Sequence, residues 1–256
     1  MIGLLKADFL KLRKRWLYWV LLAVLATLMG LAAVFLIVIP SVNPDLIPDI
    51  PTFETGDAML LGAQQAVGQT WFPLILAVVF LGGEVTTPIW ATAVTQEARR
   101  WMHLVSKLVI CSVAAWAGTM AAMGGWALLA ALFTEGEGIG AGTWFEFAWK
   151  AALTQVTWTA LGLGAMALMR NMGIAIGTVL AFSFFEGIGS LWDVYANVSL
   201  TGASTALFGN LGAEFAGGFG FGGADAMSIT QAVIVVMGWA VLGLGLAITG
   251  LAVKDP

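Results

Sequence analysis

The stretch LYWVLLAVLATLMGLAAVFLIVI, Leu17 to Ile39, contains no charged side chain. A bilayer hydrocarbon core about 30 Å thick is crossed by roughly 20 apolar residues of helix, so this run is long enough to span it. Basic residues precede it, as they precede a secretory signal. A signal core is only about 7 to 15 residues, however, and no small-x-small cleavage site follows, so the segment reads as a retained anchor.

Five more apolar runs follow: Gly62–Gly83, Leu108–Phe133, Ala151–Met169, Met172–Trp192 and Ile229–Val253. Composition agrees with them. Of 256 residues, 60% are hydrophobic and 10% charged, with a mean hydropathy of +0.92, whereas a soluble domain has roughly 25% charged residues. The expected fold is all-α, a polytopic membrane protein with six transmembrane helices in a single transmembrane domain over residues 1–256. Cys111 is the sole cysteine and His103 the sole histidine, which excludes an internal disulfide and a Cys/His metal cluster.

Basic residues give the expected orientation. Lys6, Lys11, Arg13, Lys14 and Arg15 precede the first span. Arg99, Arg100 and Lys107 join the second to the third, Arg170 the fourth to the fifth, and Lys254 follows the sixth. Ten of the eleven basic residues thus lie on one side, Lys150 being the exception, and the positive-inside rule places that side and both termini in the cytoplasm. Within residues 1–16, Leu5, Phe9, Leu12 and Trp16 recur at helical spacing against a largely basic opposite side. The segment is expected to lie flat in the cytoplasmic membrane interface, its cations reaching anionic headgroups of the lipid bilayer.

On the far side, "IPSVNPDLIPDIP" sets a stiff, extended connection. The connection 193–228 is rich in Gly and Phe and is read in two ways: as short re-entrant helices broken by glycine, or as an outer loop.

Chemistry of the enzymatic kind is missing. No lysine follows a glycine, so the chain lacks a G-x-x-x-x-G-K-[ST] phosphate loop. With one histidine, outside the spans, neither a Ser-His pair nor a metal site for intramembrane hydrolysis can be assembled. The chain is expected not to be an enzyme, and no nucleic-acid partner is expected. "LGLGL" in the last span, Leu242 to Leu246, reads as small residues that let helices pack closely. Glu186 is the isolated carboxylate within a span, sixteen residues after Arg170 and so roughly 24 Å along a helix. A charge at the bilayer centre costs about 2.5 to 3.5 kcal/mol, and Glu186 reads as a structural hydrogen-bonding group at a helix contact or as a substrate or proton site. Gln64, Gln65 and Gln69, beside Pro73, and Thr154, Gln155, Thr157 and Thr159 are candidates to line a pathway or to bond neighbouring helices; Gln65, Gln69 and Glu186 are the candidate pathway or dimer-contact positions.

The segment 84–107 between the second and third spans carries most of the remaining information. With the glycines before it, it reads GGEVTTPIWATAVTQEARRWMHLVSK from Gly82. Gly83 and Glu84 end the second span, Trp90 follows, and Arg100 and Lys107 are seven residues apart. In this it resembles the membrane subunits of type-2 ABC exporters, with Pro88 and Ala91 departing from that family's usual glycine and basic residue. The resemblance, which extends to the flat basic N-terminus, the six spans and the long last outer connection, implies a permease in the cytoplasmic membrane of a prokaryote. It implies a second permease subunit, identical or not, and separate ABC-type ATPase subunits. This chain would hold no cofactor, ATP and Mg being bound by the partner ATPase. It further implies that 84–107 is a cytoplasmic coupling segment inserting into the ATPase through Glu84, Ile89, Trp90, Val94, Arg99, Arg100 and Lys107. An apolar surface at Ile89, Trp90, Ala93 and Val94 suits a partner groove, and Glu84 is expected to pair with Arg99, Arg100 or a base of the partner. The rival expectations are a non-transporting membrane scaffold or assembly protein, and a secondary carrier or channel.

Overall fold

The computed structural model describes residues 2–43, 46, 53–85, 100–189, 192–208 and 227–252, without the side chains of 100, 193, 194 and 252. Among them there is no strand; the chain is all-α, with six helical segments long and apolar enough to cross a membrane. It is a multi-pass membrane protein. Helix α1 (Ile2–Lys14) is separated from the first span by Arg15, whose extended backbone (φ −80°, ψ 112°) stops the helix and lets α1 leave the span's axis. The first span, Trp16–Val42, consists of α2 (Trp16–Ala33), a π-helical turn at Val34–Val38 and α3 (Ile39–Val42). Pro40 explains the widened turn, since it has no N–H for its own helical bond and the Ile39 N–H bonds back to Val34 O.

The second span is broken. Helix α4 (Thr55–Gly68) stops at Gln69 and α5 (Trp71–Val85) begins two residues on. Pro73 lies in the first turn of α5, where a missing N–H costs no helical bond. The Trp71 indole donates to Gln69 Oε1 (2.8 Å), tying the break together. Helices α6 (Arg100–Phe133), α7 (Ala141–Met169) and α8 (Met172–Gly189) make the next three spans. The sixth is α11 (Ile229–Ala252). Between them stand two short helices, α9 (Asp193–Ala196) and α10 (Leu200–Phe208), so the first part of the long connection 193–228 is helical. The rest of that connection, 209–226, lies outside the described residues.

The second and fourth spans form the centre. In each, 67% of the most apolar window is buried, against 22 to 28% for the first, fifth and sixth. Trp126, Trp158, Phe72 and Phe80 fill the core, while Leu31, Phe35, Phe184, Phe185, Val241 and Ile248 are exposed on the outside of the bundle, as residues facing lipid tails can be. Where α7 meets α11 the backbones touch. A Cβ added to Gly243 would stand 2.7 Å from the backbone of Ala160 and Leu161, and one on Gly164 would stand 2.7 Å from the Gly243 carbonyl. Gly243 and Gly164 thus permit close helix packing, and Thr157 Oγ1 adds a bond across the seam to Val236 O (3.3 Å).

Candidate functional site

At the basic end of the bundle, three segments distant in sequence bring their charges to one buried cluster. Lys107, from the start of α6, is 1% exposed and places Nζ 2.7 Å from Glu84 Oε2 and 3.5 Å from Asp8 Oδ1. Lys11, from α1, donates to the other Glu84 oxygen at 2.9 Å and lies 3.8 Å from Asp8. Ser106 Oγ donates to Asp8 Oδ2 (2.7 Å). Two carboxylates therefore share two ammonium groups and a hydroxyl, which is the condition under which buried charges are tolerated.

Phe80 forms the floor of the cluster. Lys107 Nζ lies 5.0 Å from its ring centroid and Arg15 Cζ 5.3 Å, so two cations share one aromatic ring. The Arg15 guanidinium also donates to Val79 O (2.8 Å). It fits because residue 83 has no side chain: a Cβ there would meet Arg15 Nη2 at 2.5 Å. The Gly83–Glu84 pair thus has a physical division of labour. The glycine admits one cation of the N-terminal region to the end of the second span, and the carboxylate binds two others.

Of the sequence-predicted coupling residues, Glu84 and Lys107 meet directly. Ile89, Trp90, Val94 and Arg99 lie outside the described residues, as does the side chain of Arg100, whose backbone opens α6. Glu84 has Lys11 and Lys107 among its partners; its expected pairing with Arg99 or Arg100 also falls on undescribed side chains. On α1, Leu12 is buried and Leu5 half-buried, whereas Phe9 and, at the start of α2, Trp16 are exposed. The face turned to the bundle is Leu5, Asp8, Leu12 and Arg15, and it contains a carboxylate that the apolar spacing alone did not single out. The available signal was Asp8 itself, an acid in an otherwise basic helix with Lys11 one turn later. Ser106, beside Lys107, gave no signal of its own.

The far end of the bundle is organised around Glu186, which is 1% exposed. Its oxygens accept hydrogen bonds from the Tyr195 hydroxyl and from the backbone N–H groups of Leu200 and, at 3.2 Å, Thr201. These two N–H groups open α10, so Glu186 caps a helix that follows it in sequence. Ser199 Oγ accepts the next N–H, from Gly202 (2.7 Å). Burial pushes the Tyr195 hydroxyl pKa up, and its bond to the carboxylate acts in the same direction, so Tyr195 remains a donor. This geometry matches the structural reading of Glu186, a hydrogen-bonding group at a helix contact. Gln65 and Gln69 are half-buried near the break, with Gln69 Nε2 donating to Gln65 O (3.4 Å). Thr154, Gln155, Thr157 and Thr159 are buried inside the bundle.

A scan against protein-family models gives no match, and a search of curated proteins gives no significant match.

Proposed function

We propose that this chain is the permease subunit of an ABC exporter, pairing with a second permease subunit and driven by separate ATPase subunits that bind ATP and Mg. The observation that carries the reading is the buried cluster Asp8–Lys11–Glu84–Lys107 at both roots of the segment 84–107. Glu84 ends the second span, Lys107 lies in the first turns of the third, and their ion pair clamps the two ends of the intervening segment. The same ions hold α1. A partner pulling on residues between 84 and 107 would therefore load the second span, the third span and the N-terminal helix together, as a coupling element must.

The absence of a phosphate loop in the sequence means that any ATP dependence has to enter through a contact surface, and Trp90 is the best anchor for one, because aromatic residues carry a disproportionate share of interface energy. Trp90→Ala is expected to cost about 2 kcal/mol or more of ATPase binding. Arg100→Glu weakens the complex further while leaving the spans inserted. Co-purification of a nucleotide-hydrolysing subunit with the native chain, and its loss from these variants, tests the proposal. A scaffold or a self-powered carrier purifies without such a subunit, and full retention with unaltered ATP turnover in both variants would count against coupling through this segment.

A further inference from the structure

The far half of the second span is fastened to the far end of the third. Thr55 N–H donates to Glu135 O (3.1 Å) and the Thr55 hydroxyl to Thr134 O (3.2 Å). Trp126 Nε1 donates to Ala58 O (2.8 Å), and the same indole lies so close over Gly62 that a Cβ there has no room. Helix α4 and the end of α6 are thus one bonded pair.

Each member of the pair is weakened where it joins the rest of the bundle. Between α4 and α5, the N–H groups of Gln69, Thr70 and Phe72 bond two or three residues back, to Ala66 O (3.4 Å), Gly68 O (2.8 Å) and Gln69 O (3.1 Å), instead of the four residues of a regular helix. In α6, Gly124 and Gly125 directly precede Trp126. Nearer the basic end, Gly118 is set by packing, since a Cβ on it would stand 2.8 Å from Phe72 Cε1. Gly124 and Gly125 are instead exposed. Each disfavours the straight helix about fivefold relative to alanine, and adjacent small residues of this kind are where long helices bend.

The pair also stands between two cavities. One, of about 210 Å³, separates α6 from α2 and is lined by apolar residues, among them Leu25, Met29, Gly30, Gly125 and Leu129. The other, of about 200 Å³, separates α4 from α8 and α10, between Val67 and Gly68 on one side and Ser183, Thr201 and Thr205 on the other. A shift of the pair toward α2 narrows the first and widens the second. The Thr70–Ser183 hydroxyl bond lies at the joint itself, so the shift need not break it.

We propose that α4 and the end of α6 swing as one rigid pair about two hinges, Gln69–Thr70 and Gly124–Gly125, moving toward α2 and parting α4 from α10 at the far end of the bundle. The hinges belong to this chain and do not depend on the export reading, so the test uses the full chain alone, in lipid nanodiscs, with the buried Cys111 replaced by serine. Nitroxide labels are placed on exposed positions and their separations measured by double electron–electron resonance. Asp57→Cys with Thr205→Cys reads the gap between α4 and α10, Leu28→Cys with Leu132→Cys reads the gap between α2 and α6, and Asp57→Cys with Leu132→Cys reads the pair internally. Two populations are expected for the first two label pairs, the longer 57–205 distance accompanying the shorter 28–132 distance, and one population for the third. Gly124→Ala/Gly125→Ala should deplete the swung population by up to about fivefold per glycine without lowering the melting temperature. Gly238→Ala, at an exposed glycine of α11, should leave the populations unchanged. A single 57–205 distance in the wild-type background, or a swung population undiminished by the two alanines, overturns the proposal. A 57–132 distance that splits as widely as 57–205 also overturns it, since α4 would then move without α6.

Discussion

The two ends of the bundle each bury a carboxylate from a span, and they neutralise it in opposite ways. At the basic end Glu84 meets ammonium groups from α1 and α6, with Lys11 73 residues away in sequence. At the far end Glu186 meets no described cation; its donors are Tyr195, Leu200 and Thr201, 9 to 15 residues later. The first arrangement depends on charge balance among separate helices. The second depends on one short segment turning back to offer its own unpaired N–H groups. Long-range charge pairing couples the positions of three elements, whereas local hydrogen bonding fixes one element in place.

The largest effect is expected from unbalancing the basic end. Lys107→Met removes the buried ammonium group that Glu84 and Asp8 share, and removing one partner of a buried ion pair costs about 3–5 kcal/mol. The sharper form is the double variant Lys107→Met/Glu84→Met. Asp8 and Lys11 remain as a neutral pair, and much of the lost stability should return. Unfolding of the purified protein in detergent measures both, and a double variant no more stable than Lys107→Met would show that charge balance is not what holds this end.

At the far end the substituent's hydrogen-bonding capacity should decide the result. Glu186→Leu strands the Tyr195 hydroxyl and two N–H groups of α10, at about 1–3 kcal/mol for a group left unsatisfied, a total of roughly 2–4 kcal/mol if the chain relaxes in part. Glu186→Gln keeps an acceptor and should stay within about 1 kcal/mol of wild type. The same unfolding assay separates them. Equal stability of the Leu variant, accompanied by lost transport, would make Glu186 a substrate or proton site instead.

The smallest effect belongs to Lys11. Its side chain is 48% exposed, so Lys11→Met should cost no more than about 1 kcal/mol after solvent screening, even though it contacts the same carboxylate as Lys107. A loss as large as that of Lys107→Met would mean that α1 contributes as much to the cluster as α6.

The spans were legible because uninterrupted apolar runs leave few alternatives: Leu108–Phe133 and Met172–Trp192 correspond to helices Arg100–Phe133 and Met172–Gly189. The break in the second span was not legible: it falls at Gln69–Thr70, where the helix ends before the turn that holds Pro73 begins. Glu84 and Lys107 were legible as important, although their pairing with each other was not, because 22 residues separate them and nothing in their spacing specifies contact. Asp8 was obscured by the basic residues around it, which explain the N-terminal segment well enough without it. The Glu186 site was hardest to read, since two of its three donors are backbone N–H groups, and every residue type except proline has one.

The seam between α7 and α11 bears on how such a bundle can move. Helices separated by side chains slide past one another by exchanging rotamers, as gears with soft teeth would. Gly243 and Gly164 put peptide against peptide, so at that boundary there are no teeth to exchange, and closely packed backbone does not deform continuously. The fourth and sixth spans are thus built to move as a single strut, and any rearrangement of the bundle should fall at the borders of the other four.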